Sequence, residues 1–550
     1  MRILITGIIH LIVGLTVLTA QNIVQPDPIK NKIQEKLAGK IVFITQSSPI
    51  EQVSEKDFIS SFELKEGSYL DARIFLKNSL TNSLHQLDKS LSIEQLTKSG
   101  NFQFAFYVDG KVIYTENLNA GAGTLESKNQ WITYRLPFIS PNNEDSWGRY
   151  LWRRFYFSRG GDDALFEGKH LLKIEIRPFL KTESGLKTGE IIAEGQLDFI
   201  TPIIHLTEEQ VAIKPIETAS GWNISNDKFD QKLIKEMNSR ILEKRFKNIT
   251  SIAVIKNDKL LLEEYFNGAN RKTLHDTRSV GKSFASTMTG IAIEEGFIKD
   301  ENLSLSTFYK LQNYGNYAPE KETITLKNLL TMSSIFEGSD QDENSPGNEE
   351  NMYPTDNWVK FALDLPLDKN KKNGKQWDYF TAGVVVIGDI LNQKVPGGLE
   401  AYAEKKLFEP LDIQHYQWQY TPQKVANTAG GLGLETLELA KYGQLYQNKG
   451  KWKGKQILPK NWVEKSFSNY FPDNQNHSGY GYLFWREIFE INGKTYEAYA
   501  CSGNGGNKVY VFQNIPFVVV VTATAYNQPY AHSQVKKMMS NYILPAVLEN

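Results

Sequence analysis

The chain has 550 residues, too many for one ordinary hydrophobic core, which points to two or more domains. Apolar residues make up 41% and charged residues 23%, the balance of a folded soluble protein. A net charge of −1 leaves no basic surplus for nucleic acid or an anionic membrane surface, and eight scattered histidines with one cysteine give no zinc spacing. No metal and no cofactor are expected.

The chain opens with Met1-Arg2, a basic start, followed by an apolar stretch from Ile3 to Ala20 and then Gln21. This reads as a secretory signal peptide over residues 1–20, which makes the protein secreted or periplasmic. Leu18 departs from the small residue wanted near the cleavage point, and the stretch is also long enough to remain as an uncleaved membrane anchor. After cleavage no stable membrane insertion is expected. Export normally invites disulfides, yet Cys501 has no partner, so the fold must stand on its apolar core.

Residues 21–205 read as an accessory domain, strand after strand with period two. Ile41–Thr45 is a short apolar run; Phe102, Phe104, Phe106 and Val108 alternate up to Asp109-Gly110, after which Val112 and Tyr114 resume, the pattern of a tight hairpin. Phe155–Phe157, Leu171–Ile176 and Ile191–Phe199 are further strand candidates. A β-sandwich is the economical expectation. The aromatic cluster Trp147, Tyr150, Trp152, Phe155, Tyr156 and Phe157 suits either a core or a platform for sugar rings. The domain's ligand, carbohydrate or protein, stays open.

Residues 206–224, with Pro215 and Gly221, read as a linker, and 225–550 as a second domain. A helix is expected near Asp227–Lys244, with Ser225 as its N-cap, then strands Ser251–Lys256 and Lys259–Phe266 and a helix from Ser279 to Glu295-Gly296. The chain returns to strands at Lys508–Phe512 and Phe517–Thr522 before a terminal helix. Strands at both ends of a helical middle imply one sheet built from remote segments.

Ser279-Val280-Gly281-Lys282 puts a hydroxyl and an amine one helical turn apart at the head of an apolar-striped helix. Ser-x-x-Lys is cheap, and the chain contains it four times. Ser184/Lys187 lies in a Gly-rich turn, while Ser225/Lys228 and Ser533/Lys536 sit at helix starts; only at Ser279 do a preceding strand pair and a continuous helix pattern coincide. A Lys made neutral by burial can take the hydroxyl's proton, and the helix N-terminus favours an oxyanion beside it. An acyl-enzyme on Ser279 is the natural intermediate. Gly281-Lys282-Ser283 also matches the tail of a phosphate-binding loop, but Asp276 stands where that loop needs its first Gly.

In order along the chain, Ser279-x-x-Lys282, Tyr379-Phe380-Thr381 and Ser502-Gly503-Asn504-Gly505-Gly506 resemble the motifs of the β-lactamase-related serine hydrolases, the group of class C β-lactamases, D-aminopeptidases, family VIII esterases and nylon-oligomer hydrolases. Leu407-Phe408-Glu409-Pro410-Leu411 and Gly430-Gly431-Leu432 add to the likeness, which covers about residues 225–548. It implies an α/β (α+β) fold with an antiparallel sheet flanked by helices. It also implies Ser279 as acylated nucleophile, Lys282 as proton acceptor, Tyr379 as a second acid/base group biased toward phenolate by the ammonium, and a substrate and oxyanion site formed by Ser279, Thr381, Ser502, Gly503, Asn504 and Gly505. The substrate is then a small-molecule or peptide-like acyl compound.

Two departures shape the expected activity. Thr381 replaces an Asn common in relatives, and Cys501-Ser502-Gly503 replaces Lys-Thr-Gly, removing a cation that would meet the carboxylate of a β-lactam. An esterase, amidase or peptidase-like hydrolase is therefore expected more than an efficient β-lactamase. The alternative is a non-catalytic or slowly acylating penicillin-binding-like sensor. The acidic run Asp340–Asn344, with Glu349-Glu350, reads as a solvated loop, with a place beside the cleft as the second reading. Cys501 reads as a small buried side chain rather than a reactive thiol.

Overall fold

The computed structural model describes residues 22–49, 52–141, 146–217, 220–472 and 479–548; the expected signal peptide lies outside them. Contacts divide the chain into two compact units that meet in sequence at His205 and Leu206. Among the described residues no helix is long and apolar enough to cross a membrane.

The first unit is strand-rich. Its strands are β1 (Lys40–Ile44), β2 (Ser61–Glu63), β3 (Leu70–Phe75), β4 (Gly100–Val108), β5 (Lys111–Asn117), β6 (Thr133–Ile139), β7 (Gly168–Thr182), β8 (Gly185–Thr188) and β9 (Ala193–Thr201). They do not form two separate sheets, as a simple sandwich would, but join in one sheet of order β5-β4-β7-β9-β1-β3-β6, with β2 on β9 and β8 on β7. The pairing is antiparallel except where β9 meets β1 and β2. The β4–β5 turn has φ of 50° at Asp109 and 80° at Gly110, the mirror-type turn that matches strand twist.

One strand expectation fails here. Phe155–Phe157 belongs to a helix, Trp147–Arg153, that continues into a wider π-helical turn, Arg154–Ser158. Helical spacing brings Leu151, Trp152, Phe155 and Tyr156 to the core together, where Phe155 stacks on Phe106 at 4.6 Å. The aromatic run favours strand locally, and tertiary packing overrides it.

The second unit is built on a six-stranded antiparallel sheet. Its strands in chain order are β10 (Ile249–Lys256), β11 (Lys259–Tyr265), β12 (His275–Asp276), β13 (Tyr416–Trp418), β14 (Leu432–Leu434), β15 (Lys451–Trp452), β16 (Lys455–Gln456), β17 (Trp485–Ile491), β18 (Lys494–Gly503), β19 (Asn507–Phe512) and β20 (Phe517–Ala523). The main sheet runs β11-β10-β20-β19-β18-β17, so the two ends of the unit share one ladder. β12, β14 and β13 form a small separate sheet, and β15–β16 a hairpin.

Both faces of the main sheet are covered, so β20 reads as an unbroken apolar run, Phe517-Val518-Val519-Val520-Val521. Val518 and Val520 pack with helices Val280–Glu294, Thr381–Lys394 and Thr436–Gln447. Val519 and Val521 pack with helix Gln231–Leu242 and the C-terminal helices. The first of those is capped by Asp230, which accepts from the amides of Lys232 and Leu233, and not by the expected Ser225. Gly296, with φ of 80°, takes the left-handed position after helix Val280–Glu294.

Helix Val280–Glu294 approaches Trp462 through Gly290, where an added Cβ would lie 2.4 Å from the indole ring. Gly290→Ala gains about 1 kcal/mol of helix propensity but forces a buried indole aside. A net loss of about 1–2 kcal/mol is expected, read by urea unfolding of the full chain.

Candidate active site

Ser279 sits at a strained turn between a short strand and a helix. His275 of β12 pairs with Leu434 of β14, and the Thr277 hydroxyl donates to the Leu432 carbonyl at 2.6 Å, fixing the chain as it enters the turn. Arg278 then adopts a left-handed conformation, φ 52°, a costly choice for a residue with a long side chain. Its guanidinium is held by Asp276, at 3.1 Å, and lies over the Tyr526 ring, 4.8 Å from the centroid. Ser279 follows as the N-cap of helix Val280–Glu294, but its side chain makes no capping hydrogen bond. The hydroxyl is thereby available to Lys282.

Lys282 is 2% exposed, and its Nζ donates to Ser279 Oγ at 2.9 Å and to the Ala429 carbonyl. Burial holds its pKa below the ordinary lysine value, and the carboxylates of Glu349 and Asp340 oppose that shift. Its Nζ lies 5.2 Å from the centroid of the Tyr379 ring. The Ser279 side chain also acts on the Tyr379 phenol, opposing the rise in its pKa, so amine and phenol both face the serine hydroxyl. The ring stacks on Trp485 at 5.5 Å.

The phenolate expected for Tyr379 is not supported. Burial raises its pKa well above the ordinary phenol value, and Asp340, Glu349 and Tyr353 push the same way. The phenol therefore keeps its proton at neutral pH, and the burial that favours a neutral amine also favours a neutral phenol.

Asp340 is a site residue that the sequence reading left in a solvated loop. Its Oδ2 accepts from the Thr381 amide and its Oδ1 from the Glu349 amide, both at 2.8 Å, while its own amide donates to the Tyr379 carbonyl at 2.8 Å. It so caps helix Thr381–Lys394, whose own N-cap, Phe380, has no side chain that can do so. It also fixes the backbone on both sides of the phenol. Burial, with Glu349 nearby, pushes the Asp340 carboxyl up to about 6. The contact to Thr381 spans 41 residues, so no local sequence pattern announces it.

The third motif is divided in its roles. A Cβ on Gly503 would lie 2.0 Å from the Thr277 carbonyl oxygen and 3.3 Å from the Ser279 amide, so this strand end lies directly against the Ser279 turn. Among the described residues, neither the Ser279 nor the Asn504 backbone amide donates to another group of the chain. The Asn504 side chain points to Asn527, donating to its Oδ1 at 2.6 Å and accepting from its amide at 2.9 Å. Ser502 pairs with Lys508 in the ladder, and Gly505, φ 91°, lies under the Tyr526 ring; neither bonds to Ser279 or Lys282. Thr381 contributes its backbone amide, to Asp340.

Two further groups are structural. Cys501 is fully buried and its thiol is pushed up to about 12 by burial, so it holds its proton. His275 is buried among Thr250 and Thr436, and burial lowers it to about 4, so it is neutral. Among the described residues no group of His, Cys, Asp and Glu side chains could hold a metal ion.

A buried amine on a helix-start serine, a phenol across from it and a strand end against the turn define a serine-hydrolase class of site on an antiparallel sheet flanked by helices. Residues 247–535, more than half of the chain, match the Beta-lactamase family, and the chain belongs to that family, whose members are serine hydrolases. A similar curated protein is PbpX of Bacillus subtilis (strain 168), named as a penicillin-binding protein, 23% identical over 183 residues, 33% of this chain and 44% of that one. The chain thus spans under half the length of that relative. Among solved structures, the octameric penicillin-binding protein homologue from Pyrococcus abyssi is 21% identical, covering 56% of this chain and 76% of its own, TM-score 0.43. A D-stereospecific amidohydrolase from Streptomyces sp. is 14% identical, covering 52% and 92%, TM-score 0.41.

Two outcomes are expected from this geometry. Gly503→Ala drives a side chain into the Thr277 carbonyl and lowers the rate at which a fluorophosphonate labels Ser279 by about a hundredfold or more, read by intact mass. For Asp340, the folded value of about 6 lies above the unfolded value near 3.9, so the folded state holds the extra proton. Its contribution to stability is present below about pH 4 and lost as pH rises to about 6. Urea unfolding at about pH 4 and pH 7 is expected to show that loss in the parent, and a smaller one in Asp340→Asn.

Proposed function

We propose that the protein is an exported serine hydrolase, secreted or periplasmic, that cleaves an ester or amide bond through an acyl-enzyme on Ser279. The observation that carries the reading is the 2.9 Å contact between Lys282 Nζ and Ser279 Oγ in a buried place where the amine's pKa is lowered.

Neutral Lys282 takes the proton of the Ser279 hydroxyl as Oγ attacks the acyl carbon, and the carbonyl π-electrons move to oxygen. The amides of Ser279 and Asn504 meet that oxyanion, helped by the positive end of helix Val280–Glu294. On collapse the bond to the leaving group breaks, and the leaving atom takes a proton from the Tyr379 phenol. The Lys282 ammonium, which lies beside the Tyr379 ring, then returns its proton to the tyrosinate oxygen. Water then attacks the acyl ester with the same groups in reverse, releasing a carboxylic acid and restoring the Ser279 hydroxyl.

The surroundings of the amine narrow the substrate. Asp340 and Glu349 are the charged groups that act on Lys282, so a neutral or cationic acyl group is favoured over an anionic one. Where β-lactamases carry the third-motif Lys, Cys501 points into the core, which leaves a β-lactam carboxylate without that partner. Ester, amide and peptide-like substrates fit best.

A short-chain nitrophenyl ester tests the reading. Ser279→Ala is expected to abolish turnover and the acyl mass increment, and Lys282→Ala and Tyr379→Phe each to lower kcat about 10²–10⁴-fold. A Ser279→Ala variant as fast as the parent overturns the assignment. A burst of one equivalent with no turnover means a slowly acylating sensor instead.

A further inference from the structure

We propose that the first unit carries a binding cavity for a neutral saccharide, walled by aromatic rings, with Trp131 and Tyr150 as its stacking platforms. The cavity has a volume of about 620 Å³, within the range of small-molecule sites. Phe102, Tyr134 and Trp147 form its inner wall in edge-on contact: Tyr134 lies 5.3 Å from Phe102 and 6.1 Å from Trp147. Trp131 and Tyr150 also line it, yet are 41% and 56% exposed, which places them at its mouth. A core has no use for a large ring left in water, whereas a ligand with a flat apolar face does. The aromatic cluster read from the sequence thus divides: Trp152, Phe155 and Tyr156 are core, and Trp147 and Tyr150 face the cavity.

The polar lining decides the ligand class. Arg154 reaches Glu116 at 2.7 Å and lies over the Tyr150 ring at 4.2 Å, so a planar ion pair borders one of the exposed rings. Lys128, buried in the wall, donates to the carbonyls of Thr97, Gly100 and Ala120. Each charge is already engaged, so the cavity offers no free ion to a charged ligand. An alkyl chain would strip water from the Arg154–Glu116 pair and the exposed Asn119 side chain without replacing it. A sugar ring satisfies both surfaces, with its C–H face on the rings and its hydroxyls on the carboxylate, guanidinium and amides.

The test uses the full chain as Ser279→Ala, so that hydrolysis cannot consume a ligand, titrated calorimetrically with chitohexaose, cellohexaose, maltohexaose and laminarihexaose, and with decanoate as the apolar control. At least one of the four sugars is expected to bind saturably at one site per chain, and decanoate not to bind. Trp131→Ala and Tyr150→Ala, both exposed, should each weaken sugar binding about tenfold with unchanged thermal unfolding. In the Ser279 parent they should leave ester turnover unchanged. Leu125→Ala, on the same unit, outside the cavity lining and 62% exposed, should bind as the parent does. No binding by any of the four at millimolar concentration, preference for decanoate, or sugar binding indifferent to both ring truncations overturns the proposal. The binding readout does not depend on catalysis at Ser279, so the two readings fail separately.

Discussion

Everything in the second unit converges on keeping one amine dry. Lys282 lies in the first turn of a helix whose other residues are almost all buried, and it is reached by carbonyl oxygen, hydroxyl and phenol rather than by a contacting carboxylate. A buried cation without a paired anion is costly, and the protein relieves the cost by lowering the amine's proton affinity. The carboxylates of Asp340 and Glu349 act on it from farther away and keep the shift from running to completion. The burial of the amine reflects the continuity of the core: the two-sided sheet and the helices over it exclude water from the amine as a by-product of excluding it from themselves.

The same burial separates amine from phenol. In water both groups have pKa values near 10, and an ammonium beside a phenol would draw out the phenol's proton. In an apolar site, both charged forms are penalised, and the neutral pair wins. Tyr379 further faces Asp340, Glu349 and Tyr353, which resist any negative charge on its oxygen. At rest the phenol therefore keeps its proton beside an amine of lowered proton affinity, and the acidic loop that fixes the Tyr379 backbone also favours that protonation.

The hydroxyl and amine were legible because they are local: i and i+3 on a helix share a face whatever the rest of the chain does. So were the sheet strands, whose apolar runs are long and bounded by turn residues such as Asn257-Asp258, both at positive φ. What escaped was long-range. Asp340 looks like any acid in an acidic loop until its carboxylate is seen on the Thr381 amide, 41 residues away. Asp230 took the cap from Ser225 because its side chain reaches the second and third helical amides. Phe155–Phe157 has the composition of a strand, and only its contacts with Phe106 and Trp152 make it helical. Trp131 carries no signal of its own, and its ring becomes meaningful through the cavity it lines with Tyr134, 5.8 Å away.

The glycine of the third motif shows how strain and specificity are tied. Arg278 holds a left-handed conformation that a glycine would adopt at no cost, and its side chain is clamped by Asp276 and Tyr526. Tyr526 in turn lies over Gly505 and donates to the Asp276 carbonyl, so the strained turn and the Gly-rich strand end brace each other. Gly503 can then lie against Thr277 and Ser279 with no room for a Cβ. A backbone this close to Ser279 presents amides there rather than side chains. Cys501, the residue before Ser502-Gly503, is turned into the core, so this strand end meets the Ser279 turn through its backbone.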